Sequence, residues 1–110
     1  VLKKQCNLDL HDFVRITSTM PAKIYGLYPK KGEIKIGSDA DITIWNKDKK
    51  ITLTDDMVVD GSKYNPYSGF EVSCWPDEVL LRGHTIVKSN KIMGKQNIGK
   101  FLPTKLSDYI

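Results

Sequence analysis

Side chains that could do chemistry are few in this chain, and their spacing does not suit a catalytic or metal site. Its 110 residues include two histidines and two cysteines, and none of these forms an HxH, CxxC or HExxH pattern. His11 lies one and two residues from Asp12 and Asp9, whereas ligands on one helix face need a spacing of three or four. His84 follows a glycine in a turn-like stretch, where we expect it to be exposed. We therefore predict no catalytic, cofactor-binding or metal-binding residue here.

Asp39 and Asp41 are a pair of carboxylates whose spacing could bring them together. Residues i and i+2 point to the same side of a strand, and close carboxylates can share acid–base chemistry. The sequence favours a structural role, because Asp39 follows Gly37-Ser38 and suits a turn that hydrogen-bonds its own backbone. We expect Asp41 to cap the start of the next strand.

Composition and charge fit one small domain with a solvated basic surface. The chain has 17 Lys and Arg against 13 Asp and Glu, a net charge of +4, and 40% hydrophobic residues, enough for a modest core. The basic residues are scattered and almost all Lys, whereas nucleic-acid surfaces favour clustered Arg and Lys with interleaved aromatics. No apolar run approaches the ~20 residues of a membrane span. We expect neither a nucleic-acid nor a membrane partner.

Cysteine usage and the first residues suggest where such a chain belongs. Cys6 and Cys74 are far apart and have no partner motif, which favours reduced thiols in the cytoplasm. The chain opens Val1-Leu2-Lys3-Lys4 without an initiator Met. We expect a segment of a longer protein.

Residues 7–18 have the pattern of a short helix. Asp9 is a suitable N-cap, and Asp12 stands three residues on in the capping-box position, where Glu is more usual. The residues that share one face at helical spacing are Leu10, Phe13, Val14 and Thr17. Such a stripe implies that the helix packs against something.

Proline and glycine mark the end of this helical region. We expect the helix to end near Thr19, because Pro21 disfavours helical backbone at Met20. A second short helical turn follows over residues 21–25, which Gly26 can end in the left-handed conformation.

Beyond Gly26 the pattern changes to strands and turns. We predict strands at 42–45, 50–54, 71–74, 78–82 and 84–88, with a last apolar run at 91–93. The second strand would return after a turn at 46–49, and residues 55–70 are loop-like. Arg82-Gly83-His84 and Ser89-Asn90 are turn signals. From Gly94 onward we expect an arm whose order depends on a neighbour.

Several of these motifs, in this order, resemble the C-terminal part of hydantoinases and dihydropyrimidinases, which are cyclic amidohydrolases. The matching runs are Leu10-x-x-Phe13-Val14, Ser18-Thr19-x-Pro21-Ala22-Lys23, Gly26-Leu27-Tyr28-Pro29-Lys30-Lys31-Gly32-x-Ile34, Gly37-Ser38-Asp39-Ala40-Asp41, Tyr67-x-Gly69, Arg82-Gly83 and Gly99-Lys100-Phe101-Leu102. The residues to which we assign a structural role in the motif are Pro21, Gly26, Pro29, Gly32, Gly37, Asp39, Asp41, Arg82 and Gly83. Met20 stands where the family usually has Asn, which would cap the second short helix.

The resemblance implies a fold that is mainly β with a short N-terminal helical segment. That fold would be the C-terminal part of a composite β-sandwich together with the last helix of a (β/α)₈ barrel. The segments would be residues 1–26, the barrel helix and short turn; 27–93, the sandwich strands; and 94–110, a C-terminal arm. Its partners would be the rest of the parent chain and further copies, in a tetramer.

The resemblance also implies an activity for the parent protein. Such enzymes use two divalent metals, usually zinc, to hydrolyse the ring amide of hydantoins or dihydropyrimidines to N-carbamoyl amino acids. Their metal ligands precede the segment that this chain matches, so none carries over to it. Three alternatives remain open: a non-catalytic dihydropyrimidinase-like scaffold, an allantoinase, and a small basic binding module.

Overall fold

The computed structural model describes residues 8–94 and 97–109, which form two compact units. Within the described residues, the first unit contains 8–41 and 97–109, and the second contains 42–94. The predicted class, mainly antiparallel β with a short N-terminal helical segment, is confirmed. In the described parts of the chain, no helix is long and apolar enough to cross a membrane.

A single helical stretch opens the first unit. It consists of α1 (Leu10–Val14), a π-helical turn (Arg15–Thr19) and α2 (Met20–Ile24). The predicted capping box at its start is confirmed. The Asp9 carboxylate accepts from the Asp12 N–H at 2.8 Å, and the Asp12 carboxylate accepts from the Asp9 N–H at 3.4 Å. Two N–H groups that the helix itself cannot pair are thereby satisfied.

The predicted break near Thr19 is wrong, because the helical backbone runs through Pro21. Met20 has φ −66° and ψ −45°, and its N–H donates to the carbonyl of Arg15, five residues back. Pro21 then falls in the first turn of α2, where a missing N–H costs little. The wider π turn before it changes the hydrogen-bond spacing at the point where proline would disrupt a regular helix. Met20 is therefore a helical residue inside this stretch and does not occupy a cap position that an Asn would fill.

The second unit is built on a four-stranded antiparallel sheet in the order β1-β4-β5-β6, beside a two-stranded sheet of β2 and β3. The strands are β1 (Ile42–Asn46), β2 (Ile51–Thr52), β3 (Glu71–Val72), β4 (Trp75–Leu81), β5 (His84–Lys88) and β6 (Lys91–Ile92). A 3₁₀ turn (Asp55–Met57) interrupts the predicted loop over 55–70.

Strand pairing differs from the local expectation in one place. The segment after the turn at 46–49 does not return along β1, because β1 pairs with β4 and β2 pairs with β3. β4 is seven residues long and offers β1 five paired positions, from Ile42 opposite Leu80 to Asn46 opposite Trp75. A turn signal sets where a chain bends, but it does not decide which strand becomes the partner.

Two tight turns join the strands of the meander β4-β5-β6 as predicted. Arg82 and Gly83 have φ of 47° and 79° between Leu81 and His84, which face one another in the ladder. Ser89 and Asn90 have φ of 49° and 64° in the next turn. Two consecutive positive φ angles match the right-handed twist of the flanking strands. His84 is exposed, as expected.

The modest core expected from composition is almost absent from the described residues. Among them, only Ala22, at 5% exposure, is a buried apolar residue. Large apolar side chains on both units face solvent, including Leu10 at 82% in the first unit and Val59 at 87% in the second. The apolar content is present, but each unit presents much of it on an open face.

Asp77 on β4 provides a pH-dependent contact inside the second unit. Its carboxylate accepts a hydrogen bond from Asn46 Nδ2 at 2.9 Å and one from Lys49 Nζ at 3.3 Å. The bond from Asn46 holds the pKa of Asp77 below its ordinary value of 3.8, with partial burial opposing this and Lys49 adding to it.

We expect the second unit to lose stability as pH falls through this lowered pKa of Asp77. A carboxyl group whose pKa is lowered by folding stabilises the fold at pH values above its pKa in the unfolded chain. This stabilisation is lost once the group is protonated in the folded chain. Urea unfolding between neutral pH and about pH 3, followed by the fluorescence of Trp45 and Trp75, should show this acid loss reduced in Asp77→Asn.

Asp48→Asn removes the same charge from an exposed neighbour in the turn after β1 and is the matched control. It should keep the acid loss of the wild type. An equal acid slope in Asp77→Asn and wild type would show that Asp77 is not the group responsible.

Candidate functional site

The predicted motif residues lie in two places. Pro21 is in α2, and most of the others lie in the loop that follows it, residues 26–41, which we call the glycine loop. Arg82 and Gly83 form the β4–β5 turn of the second unit.

The end of α2 is closed by paired backbone hydrogen bonds. Gly26, at φ +65°, donates its N–H to the Lys23 carbonyl at 3.1 Å, and Leu27 donates to the Ala22 carbonyl at 2.8 Å. Tyr28 donates to the same Ala22 carbonyl at 3.0 Å. This is the Schellman arrangement, which satisfies carbonyls that the helix leaves unpaired. The predicted left-handed stop at Gly26 is confirmed.

The glycine loop then folds back onto the helix at Gly32. A Cβ at this position would lie 2.5 Å from the Cβ of Ala22, and its φ of +90° is one that L-residues rarely adopt. Thr19 Oγ1 donates to the Gly32 carbonyl at 2.7 Å. Only glycine allows the loop backbone to come this close to the helix.

Pro29 and Gly37 lie in the part of the loop that carries it back toward the start of β1. The Tyr28–Pro29 peptide bond is cis. The Pro29 carbonyl accepts from Ser38 Oγ at 2.7 Å, and the Asp39 N–H donates to the Lys30 carbonyl at 2.9 Å. Gly37 has φ +97° and open space around it.

Asp39 and Asp41 lie close together because both form an ion pair with Lys31. The Lys31 Nζ lies 2.8 Å from Asp39 Oδ2 and also bonds Asp41 Oδ2. All three side chains are about three-quarters buried, with 24%, 22% and 29% exposure respectively. Burial disfavours the charge on Lys31, but the hydrogen bonds from Lys31 to Asp39 and Asp41 outweigh it and hold the pKa of Lys31 above 10.5. We call these three residues the charge cluster.

Sequence reasoning paired the two carboxylates but missed Lys31. Eight residues separate Lys31 from Asp39 and ten separate it from Asp41. These positions lie in a loop, where neither helical nor strand periodicity indicates which side chains meet. The signal that could have found it is the charge itself, since two carboxylates this close need a cation nearby to be stable together.

The described residues do not provide a metal site. Across 8–94 and 97–109, no group of three or more His, Cys, Asp or Glu side chains could hold a metal ion. In the charge cluster, an ammonium group already stands between the carboxylates. His11 and His84 are exposed, Cys74 is a free, exposed thiol, and Cys6 lies outside the described residues. The metals implied by the resemblance therefore do not fit this donor set.

We expect Lys31→Met to destabilise the first unit by about 1–2 kcal/mol, between the values for exposed and buried ion pairs. The loss arises because Asp39 and Asp41 then face each other without the ammonium group. Urea unfolding followed by helical circular dichroism measures it.

The pH dependence and a control sharpen this test. A lysine whose pKa is raised by folding stabilises the fold fully at pH values below its pKa in the unfolded chain. This stabilisation is lost as the pH rises through its pKa in the folded chain. The difference in stability between wild type and Lys31→Met should therefore shrink at alkaline pH. Lys30→Met removes the same charge from an exposed neighbour and should leave stability nearly unchanged. Equal losses in the two variants would contradict a specific role for the charge cluster.

Comparison with known proteins places this geometry in a family. A profile of the amidohydrolase family matches residues 1–86. The chain is 38% identical over 95 residues to a D-hydantoinase of Ralstonia pickettii and 38% identical over 96 residues to dihydropyrimidinase 2 of Caenorhabditis elegans. These alignments cover 86% and 87% of this chain but 21% and 18% of the relatives. A dihydropyrimidinase-related protein 5 of Mus musculus is 33% identical over 98 residues, or 89% of this chain and 17% of that protein.

The fold agrees with the sequence match. A solved D-hydantoinase (dihydropyrimidinase) from Thermus sp. superposes with a TM-score of 0.88 at 32% identity, over 96% of this chain and 24% of that one. The chain thus spans about a fifth of the length of the curated relatives it matches. With its motif residues, fold and sequence in agreement, the chain belongs to the amidohydrolase family and is similar to hydantoinases and dihydropyrimidinases.

Proposed function

We propose that this chain is the C-terminal structural and assembly part of a metal-dependent cyclic amidohydrolase. The complete protein would hydrolyse the ring amide of hydantoins or dihydropyrimidines to N-carbamoyl amino acids. The observation that carries the proposal is the similarity to D-hydantoinases over 86% of the chain, with motif residues in backbone and charge-pairing roles. The reacting groups and the two divalent metals, usually zinc in such enzymes, belong to the rest of the protein.

The open apolar faces support a structural role. The predicted helical stripe remains largely exposed, with Leu10 at 82% and Val14 at 52%. Exposed apolar surface of this extent is typical of a surface made to be covered by another part of a protein. We assign residues 1–26 to the last barrel helix and its turn, 27–93 to sandwich strands, and 94–110 to a C-terminal arm. The protein would work in the cytoplasm as a homo-oligomer, with the tetramer as our expectation.

A second candidate is a non-catalytic scaffold built on the same fold. The observation that favours it is the 33% identity to a dihydropyrimidinase-related protein 5 over 89% of this chain. That match covers nearly the same share of this chain as the match to a D-hydantoinase, so the two candidates differ in chemistry that lies elsewhere in the protein.

Activity and metal content of the full-length protein separate these candidates. We expect ring opening of hydantoin or dihydrouracil, followed by loss of ultraviolet absorbance, together with bound divalent metal, and loss of both after treatment with a chelator. The 110-residue chain alone should show neither. A folded full-length protein that binds no metal and opens neither ring would instead support the scaffold.

Covering of the helix face can be tested independently of activity. In the full-length protein, Leu10→Asn should lower stability by about 2–4 kcal/mol, because it places a polar group where an apolar one is buried. His11→Asn, on the adjacent exposed position, is the matched control and should change it by less than about 0.5 kcal/mol. Thermal unfolding measures both.

The isolated 110-residue chain should show the effect of leaving the same helix face uncovered. It should either oligomerise or leave its first 25 residues weakly protected, because their apolar face lacks its partner. Strong hydrogen-exchange protection across residues 8–25 in a clean monomer would rule this out.

A further inference from the structure

The last described residues, 104–109, lie against the end of α2, and we call them the tail. Ser107 Oγ donates to the Lys23 carbonyl at 2.7 Å, the same carbonyl that receives the Gly26 N–H. Ser107 Oγ in turn accepts from the Tyr109 N–H at 3.1 Å. The tail therefore completes the set of hydrogen bonds that closes the C-terminus of α2, from a position more than 80 residues along the chain.

Backbone contact brings the tail onto Gly26. A Cβ at Gly26 would lie 2.0 Å from the Lys105 carbonyl oxygen and 3.2 Å from the Lys105 nitrogen. Gly26 is thus required twice, once for its positive φ and once because the Lys105 peptide occupies the space of a side chain.

Two aromatic rings and one lysine hold the far end of the tail. The rings of Tyr28 and Tyr109 meet edge to face, with centroids 5.6 Å apart. Lys23 Nζ lies 5.0 Å from the centroid of Tyr28 and 4.6 Å from that of Tyr109. Each of these contacts is individually weak where solvent reaches it. The Tyr28 hydroxyl donates to Glu33 Oε2 at 2.9 Å, which orients the ring that receives the tail.

We propose that the tail is a latch, formed within one chain, that locks the turn between α2 and the glycine loop and opens reversibly without unfolding of the strand unit. Its contacts are specific but few: side-chain hydrogen bonds, one ring pair and one close backbone approach. The remainder of the tail is open, since Leu106 is 94% exposed and the Lys105–Asp108 ion pair lies in solvent. Segments with so few buried contacts open at a small fraction of the global free energy of unfolding.

Trypsin cleavage after Lys105 in the full-length protein reports directly on latch opening, because a closed latch holds this peptide against Gly26. Ser107→Ala and Tyr109→Leu should each speed cleavage of the Lys105–Leu106 bond about 2- to 10-fold, the change expected for one lost hydrogen bond or ring contact. Mass spectrometry follows this bond specifically. Phe101→Ala removes an exposed apolar side chain outside the latch and should leave the rate unchanged.

A glycine pair provides a second, independent variant. Gly26→Ala introduces both backbone strain and a clash with Lys105, whereas Gly37→Ala introduces strain at positive φ with open space around it. Cleavage after Lys105 should accelerate in Gly26→Ala and stay near the wild-type rate in Gly37→Ala.

Three outcomes would overturn the latch. Wild-type cleavage as fast as that of a synthetic peptide of residues 101–110 would show that the tail is not docked. Protection that falls on dilution would show that the tail docks on a second copy. Faster amide exchange in β4 and β5 that parallels the cleavage rate across the variants would show that opening is global unfolding.

Discussion

The first unit depends on how closely its backbone approaches itself around Ala22. The Ala22 carbonyl accepts hydrogen bonds from the N–H groups of Leu27 and Tyr28, which follow α2. The Cβ of Ala22 lies only 2.5 Å from the position that a Cβ on Gly32 would take. A side chain at Gly32 would force the loop away from the helix, and a side chain at Gly26 would force the tail away from its end. Gly26 and Gly32 have no Cβ, and this allows the loop, the helix and the tail to pack this closely.

Charge pairing then determines how the loop returns. Lys31 lies between Asp39 and Asp41 at the end of the loop, so three charges that would each be costly to desolvate alone are satisfied together. The second unit uses the same device, since Asp77 collects hydrogen bonds from Asn46 and Lys49. In both places a lysine supplies the compensation, which gives part of the basic excess a structural use instead of a role in binding acidic partners.

Membership of the amidohydrolase family explains why so much apolar surface coexists with such specific local structure. The capping box, the tight turns and the charge cluster are formed by contacts among the described residues, whereas only Ala22 is buried among their apolar side chains. Local structure is thus specified by contacts inside the chain, and the open apolar faces are suited to burial against further surface.

What the sequence determined by itself is the set of features that depend on neighbours within about four residues. The capping box at Asp9, the left-handed stop at Gly26 and the tight turns at Arg82-Gly83 and Ser89-Asn90 follow from backbone preferences that act locally. Tertiary structure alone decided the pairing of β1 with β4 and the partner of the Asp39–Asp41 pair. It also decided the π turn that carries the helix through Pro21 and the docking of the tail on α2. These four features depend on contacts with residues distant in sequence, or on a change of hydrogen-bond partners within the helix. A short-range sequence pattern does not specify either of them.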